Sequence, residues 1–246
     1  MRLSAGAGVP GVEAFPGAVG LSALRVYDWP AADGLRGGSP HLHTASAEGY
    51  AVLGGTGAVQ TLSAAGYAEH PLAAGALLWF TPGTVHRLVN TSGDLRLLVV
   101  MQNAGLPEAG DAVLTFPADV LADPGAYAAA ARAGTEEEAR RRRDLALAGY
   151  AHWCERVAAE GPGALADLHA AAARLVAPRA GGWRELWRQR PLAQAERTGE
   201  HLHALAAADP AHLAGARVLS ADAVPGERFG MCGRLSVWDL DGAREA

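Results

Sequence analysis

Three histidines and one glutamate stand at spacings that could build a metal centre. His41 and His43 are separated by one residue, Glu48 follows shortly after, and His86 lies further along. Three imidazoles and a carboxylate form a donor set that borderline divalent cations accept well. Residues two apart on a strand point to the same face, so His41 and His43 can aim into one cavity. Glu48 and His86 must then arrive from neighbouring strands, which a barrel of short antiparallel strands permits. The other histidines lack such company. His70, His152, His169 and His212 stand alone, and the pair His201-x-His203 sits in a helix-like stretch where residues two apart do not share a face.

The sequence around these residues predicts the elements that must carry them. Short β-prone runs occur at 20–29, 50–53, 59–62, 77–80, 87–89 and 95–102, punctuated by Gly-rich turns. This density of short strands predicts an all-β sandwich or barrel. Residues 1–18, rich in Gly, Ala and Pro, read as a loose arm, and 31–40 as the loop that delivers the chain to His41. Between Gly55 and Gly75, residues 56–74 have room for one hairpin.

The character changes after Phe116-Pro117. Residues 120–214 are rich in Ala, Leu, Arg and Glu, as a helical segment would be. Asp123-Pro124 reads as a helix start, and Thr135 with Glu138 has capping-box spacing. Ala146, Tyr150, Trp153 and Val157 recur at helical spacing and should face a core. The run Arg140–Arg143 reads as a solvated helix face, with Glu136 paired to Arg140 and Glu137 to Arg141. The last thirty residues turn strand-like again. Leu235–Leu240 echoes Leu24–Trp29 in pattern, which fits either a strand returning beside the N-terminal one or a coincidence of two short β sequences. The division expected is 1–118 for the barrel with its arm, 119–215 for the helical segment and 216–246 for the tail.

The two clusters resemble the paired motifs of the cupins, small double-sheet jelly-roll barrels with a metal at the centre. The first family motif is Gly, five residues, His-x-His, three or four residues, Glu, six residues, Gly. His41, His43, Glu48 and Gly55 fit it, while Leu35 stands where the leading glycine belongs, one residue after Gly34. Gly75, Gly83, His86 and Asn90 fit the second motif, with Thr81 in place of its proline and Pro82 next door. The resemblance covers residues 20–105. It implies a mainly β double-stranded β-helix (jelly-roll or cupin barrel) with an additional α-helical C-terminal segment, α+β overall. It also implies that His41, His43, Glu48 and His86 hold a divalent metal ion, iron first, with Mn, Zn, Ni or Cu as alternatives. Glu48 would in addition be catalytic, accepting a proton if a substrate displaces it. Similar proteins are dioxygenases, isomerases, epimerases and decarboxylases. The expectation is a metal-dependent oxygenase or dioxygenase acting on a small organic molecule. An isomerase or epimerase, or a non-catalytic metabolite-binding cupin, are the alternatives.

Alternation places Tyr50, two residues past Glu48, and Leu88, two past His86, facing inward; Phe80 and Met101 complete the expected substrate pocket. That lining is apolar with one phenol, which suits an aromatic or lipophilic substrate better than a sugar phosphate.

Composition narrows the field. The net charge of −5 and the lack of a basic stripe argue against a nucleic-acid partner. All 21 cationic side chains are arginine, as the codon usage of a GC-rich bacterial genome would produce. Cys154 and Cys232 match no zinc or redox spacing and read as reduced thiols. No apolar run is long enough to span a bilayer and no signal peptide is read, so no membrane role and a cytoplasmic location are expected. The helical segment could serve as a lid over the barrel mouth, a homodimer surface or a partner-binding bundle.

Overall fold

The structure, a computed structural model, describes residues 14–246. Positions 1–13 of the expected arm lie outside the described residues. Among the described residues, the first half of the chain forms nine strands: β1 (Gly20–Val26), β2 (His41–His43), β3 (Glu48–Gly54), β4 (Thr56–Ser63), β5 (Gly66–Ala73), β6 (Leu77–Phe80), β7 (Val85–Asn90), β8 (Arg96–Met101) and β9 (Ala112–Leu114). Six helices follow: α1 (Ala118–Ala122), α2 (Pro124–Ala130), α3 (Glu136–Glu160), α4 (Leu165–Val176), α5 (Ala180–Trp187) and α6 (Ala193–Ala206). The tail adds β10 (Leu219–Ser220), β11 (Arg228–Phe229), β12 (Gly233–Val237) and β13 (Arg244–Glu245).

Two antiparallel sheets face one another as a jelly roll, in the orders β11-β12-β1-β8-β3-β6 and β5-β4-β7-β2-β9, so the fold is α+β overall. The tail enters the larger sheet beside the N-terminal strand, with Ser22 opposite Val237 and Val26 opposite Gly233. Strand β5 carries Pro71, yet it pairs along its length with β4; as the edge strand it has no neighbour on its outer side that needs that proline's missing N–H.

Apolar side chains between the sheets form one core, with Leu24, Val26, Tyr50, Val52, Val59, Phe80, Leu88, Leu97 and Val99 among its members. A second core lies on the far side of the smaller sheet. There Leu42, Leu62, Val85 and Leu114 pack against Leu121, Tyr127, Tyr150, Trp153, Leu168 and Leu175 of the helices. The helical segment is thus a layer on the outer face of that sheet. This explains why every residue of β7 is buried: the strand has apolar neighbours on both faces.

The helix starts follow their local chemistry. The Asp123 carboxylate caps α2, accepting from the backbone N–H of Gly125 and Ala126, with Pro124 in the first turn. A complete capping box between Thr135 and Glu138 opens α3. Ala146, Tyr150, Trp153 and Val157 line its buried face.

The arginine run departs from the expectation of a solvated face. Arg140 and Arg141 pair with Glu136 and Glu137. Arg142 and Arg143 instead turn inward and are buried. Arg142 donates to the carbonyl of Gly230 in the tail, and Arg143 donates to the carbonyls of Trp29 (3.0 Å) and Pro30 (2.8 Å). Successive helical residues are rotated about 100° from one another, so four in a row reach both faces.

Candidate metal-binding site

Strand β2 is three residues long, and its alternation sorts them cleanly. His41 and His43 point between the sheets while Leu42 points to the helical layer. On the adjacent strand β7, His41 pairs with His86, which shares the inward face. Glu48 comes from the opposing sheet, at the start of β3, rather than from a strand beside β2. All four side chains are buried, and one donor atom from each falls within 4.8 Å of the other three.

The histidine tautomers are fixed by what stands behind each ring. His41 Nδ1 lies 2.9 Å from the carbonyl oxygen of Ser39, and His86 Nδ1 lies 3.1 Å from that of Thr84. A carbonyl oxygen only accepts, so each Nδ1 carries the proton and each Nε2 keeps its lone pair. His43 Nδ1 faces a carboxylate, Asp111 Oδ2, at 3.3 Å. On the inner side, Glu48 Oε2 lies 2.9 Å from His86 Nε2 and 3.1 Å from His43 Nε2.

Two acceptors at 2.9 Å with no hydrogen between them repel unless a positive charge sits close by. Glu48 Oε2 and His86 Nε2 are also buried without a hydrogen-bond partner. Converging lone pairs, orphaned buried acceptors and anchored outer nitrogens together fit a divalent cation.

Electrostatics agree with the geometry. Burial works to raise the Glu48 carboxyl, but the neighbouring imidazoles of His86 and His43 outweigh it and hold the group well below the usual carboxylate range. Burial would also lower His43, yet Asp111 and Glu48 on either side raise it to about 9. His41 is pushed well below its ordinary value by burial and by the neighbouring imidazoles. A cluster that retains a proton on one imidazole without metal is one from which a cation must displace that proton.

The loops are built to hold this arrangement. Asp111, fully buried, accepts from the backbone N–H of Thr44 (2.9 Å), Ala45 (2.7 Å) and Ser46 (3.0 Å), and so orders the turn joining His43 to Glu48. The turn before His86 is tied to the same strand, as Gly83 N–H donates to the His43 carbonyl at 2.8 Å. Gly83 sits at φ +87°, where a side chain would be strained. Asn90, the last residue of the second motif, has a structural place. Its amide donates to the Val26 carbonyl, and its oxygen accepts from Gly93 and Leu95, closing the β7–β8 turn.

Tyr50, Phe80, Leu88 and Met101 all fall in the inter-sheet core. Phe80 stacks on His86 with ring centroids 4.6 Å apart and planes 6° from parallel, and Tyr50 packs edge-on against Phe80. Two further residues reach this region that spacing did not reveal. One is Asp111, a single acid in a loop with no motif around it. The other is Cys232, which the tail inserts into the same core, buried near Tyr50. His201 and His203 lie exposed on α6, apart from the cluster. Among the described residues the four-residue set is the one group of its kind.

Comparison with known proteins follows the same lines. Residues 32–101 match the cupin domain family. Among solved structures, the chain is similar to the TDP-fucose-3,4-ketoisomerase WlaRA of Campylobacter jejuni, with 16% identity over 37% of this chain and 64% of that one, at a TM-score of 0.30. It is also similar to a predicted oxalate decarboxylase of Thermotoga maritima, with 21% identity over 34% and 64% of the two chains and a TM-score of 0.26. A third is the capsular polysaccharide assembling protein CapF of Staphylococcus aureus, with 14% identity over 39% and 27%, at a TM-score of 0.30. In each case the chain spans less than two thirds of the other protein's length. No curated protein matches. No helix among the described residues is long and apolar enough to cross a membrane. Both spaced motifs and all four clustered side chains fall inside the matched stretch, and residues 32–101 form a cupin domain.

Proposed function

We propose that this protein is a metal-dependent enzyme of oxygenase type acting on a small, weakly polar organic molecule, with His41, His43, Glu48 and His86 as the metal ligands. The observation that carries the reading is the convergence of three imidazole lone pairs and one carboxylate within 4.8 Å, between apolar walls. Four protein donors leave one or two positions open on a five- or six-coordinate ion. A bound iron would supply activation of dioxygen and Lewis acidity toward a substrate enolate or carboxylate.

The chain's own residues do the rest. The Ser39 and Thr84 carbonyls and the Asp111 carboxylate hold the imidazoles in the tautomer that binds. Glu48 is the one carboxylate in the cluster, and it would accept a proton if a substrate released it from its ligand role. Tyr50, Phe80, Leu88 and Met101 exclude water and receive the apolar body of the substrate. Arg87, on the neighbouring position to His86, turns away to Asp33 and Gln60. With that cation engaged elsewhere and Tyr50, Phe80, Leu88 and Met101 in the inter-sheet core, an aromatic or lipophilic substrate is favoured over a phosphate.

A metal-assisted isomerase or epimerase is the second reading, favoured by one observation. The Tyr50 hydroxyl is buried without a hydrogen-bond partner, and burial with the Glu48 charge beside it keeps it protonated. An acid and a base then stand together, as proton transfer between adjacent carbons requires.

Metal content by mass spectrometry on untagged protein, for wild type and His86→Ala, is the test, followed by oxygen uptake with aromatic substrates. Near-stoichiometric iron that disappears in the variant, with oxygen consumption, supports the oxygenase. Stoichiometric zinc or manganese without oxygen uptake moves the assignment to the isomerase. Failure to take up any of these metals on reconstitution sinks both.

A further inference from the structure

The outer face of the larger sheet is unlike a surface that meets water. Strand β8 runs Arg96-Leu-Leu-Val-Val-Met101, apolar on both faces, as β7 is between its two cores. Leu97, Val99 and Met101 point into the inter-sheet core, which leaves Leu98 and Val100 outward. The register carries this face across the neighbouring strands. Val100 stands opposite Gly49 and Gly49 opposite Trp79, while Leu98 stands opposite Ala51 and Ala51 opposite Leu77. Leu53, Leu77 and Trp79 are 59%, 68% and 69% exposed. Among the described residues, none of these outward side chains belongs to an apolar core, and the helical layer lies on the other sheet.

The face has the anatomy of an interface. On β3 and β6, and on β8 past Arg96, no outward position is charged. Arg96, opposite Arg25, bounds the patch at one end, and exposed Thr81 and Gln102 bound it at the other. Four neighbouring strands, β1-β8-β3-β6, at roughly 4.8 Å each and about 20 Å long, give a plan area on the order of 400 Å². A stable interface buries about 800 Å² per partner, of which about 56–65% is apolar, so this centre and its polar rim match one in proportion. A centre without charge is the mark of a permanent contact, and it is most pronounced between copies of one chain. A sheet face is matched in shape by another sheet face packed about 10 Å away, and a second copy supplies one with the same apolar centre.

We infer that this protein is a homodimer in which the larger sheets of two copies pack face to face about a two-fold axis, anchored by Trp79 and Leu77. The contact is isologous, so each copy gives and receives the same residues. The helical layers then lie on the two outer sides of the dimer, behind the smaller sheets. The inference stands independently of the metal-site reading.

Sedimentation velocity and light scattering on the untagged full chain, across a wide range of protein concentration, read the mass directly. A dimer is expected for the wild type. Trp79→Glu should raise its dissociation constant at least about 100-fold, because the two-fold axis removes a large buried ring twice and adds an uncompensated charge twice. The milder Leu77→Ser should raise it at least about tenfold. Both positions are exposed within one copy, so the circular dichroism spectra should match wild type. Leu202→Glu, a change of the same kind at a 63% exposed leucine on α6, should leave the dimer intact. A monomer at every concentration would overturn the inference and leave the face to another kind of partner. So would a dimer that survives both substitutions in the larger sheet, or one that is lost only in Leu202→Glu.

Discussion

Asp111 Oδ2 lies 3.3 Å from Nδ1 of His43, while the same carboxylate gathers the backbone N–H groups of the three residues that follow His43. One buried acid thus sets both the orientation of an imidazole and the path of the chain toward Glu48. Asp111→Asn should lower metal affinity by roughly 10- to 100-fold, since its amide would present a donor where His43 needs an acceptor. Competition with a calibrated chelator measures this. Unchanged affinity in a folded variant would show that the Asp111 contact does not orient a ligand.

The acid side of the pH profile also belongs to Asp111. Burial tends to raise its carboxyl, but His43, Thr44 and Ser46 outweigh that and hold it at about 2. A carboxyl depressed in the folded state contributes stability above its unfolded value near 3.8, and loses it as the pH falls toward about 2. His43 has the opposite sign. Raised to about 9, its protonated form stabilises metal-free protein fully below about 6.5, and that contribution fades as the pH climbs through about 9.

Because a metal must displace the His43 proton, apparent zinc affinity should rise by about one decade per pH unit between roughly 6.5 and 8.5. Titrations at three pH values across that window read the slope directly. A flat profile would mean that His43 is not a ligand.

Leu42 separates two clustered histidines yet faces the helices, so its truncation should divide stability from metal binding. Leu42→Ala should cost roughly 2–5 kcal/mol by the opening of a cavity in the second core, with metal affinity nearly unchanged. Denaturant unfolding and metal titration on the same sample check both halves. Equal loss of affinity and stability would show that the two faces of β2 are not separable.

The tail crosses very near the approach to His41. A Cβ placed on Gly38 would stand 2.4 Å from the Cα of Cys232. Gly38→Ala should therefore lift the tail and expose Cys232, whose thiol is pushed up to about 12 by burial and the Glu48 charge. Wild-type Cys232 should resist a disulfide reagent under native conditions, and the variant should react. Cys154→Ser in both backgrounds removes the other thiol from the count. An unreactive Cys232 in the variant would rule out the close passage.

Much of this architecture was legible in residue spacing, and the omissions have physical reasons. The four-residue cluster could be read because side chains on strands keep a fixed period, and the two motifs record it. The start of α3 could be read because its cap needs only Thr135 and Glu138, three positions apart. Asp111 could not, because it acts through backbone N–H groups that leave no trace in residue types. The inward turn of Arg142 and Arg143 depends on which carbonyls a distant loop presents, and no helical periodicity states that. The covering of the smaller sheet had a faint signal in Val85-His-Arg-Leu-Val-Asn90, which has apolar residues on both faces, as a strand between two cores requires.

Strand β1 is made well before its partner β12, with most of the barrel and all six helices between them in the chain. At ribosomal speeds of about 5–20 residues per second, the first strand waits on the order of tens of seconds for the neighbour that covers its flank. During that interval the β12 side of β1 is an open edge, and the Cys232 part of the barrel wall is missing. The nascent barrel therefore has an unguarded seam through which a cation could enter or another chain could pair, until β12 is made and seals it.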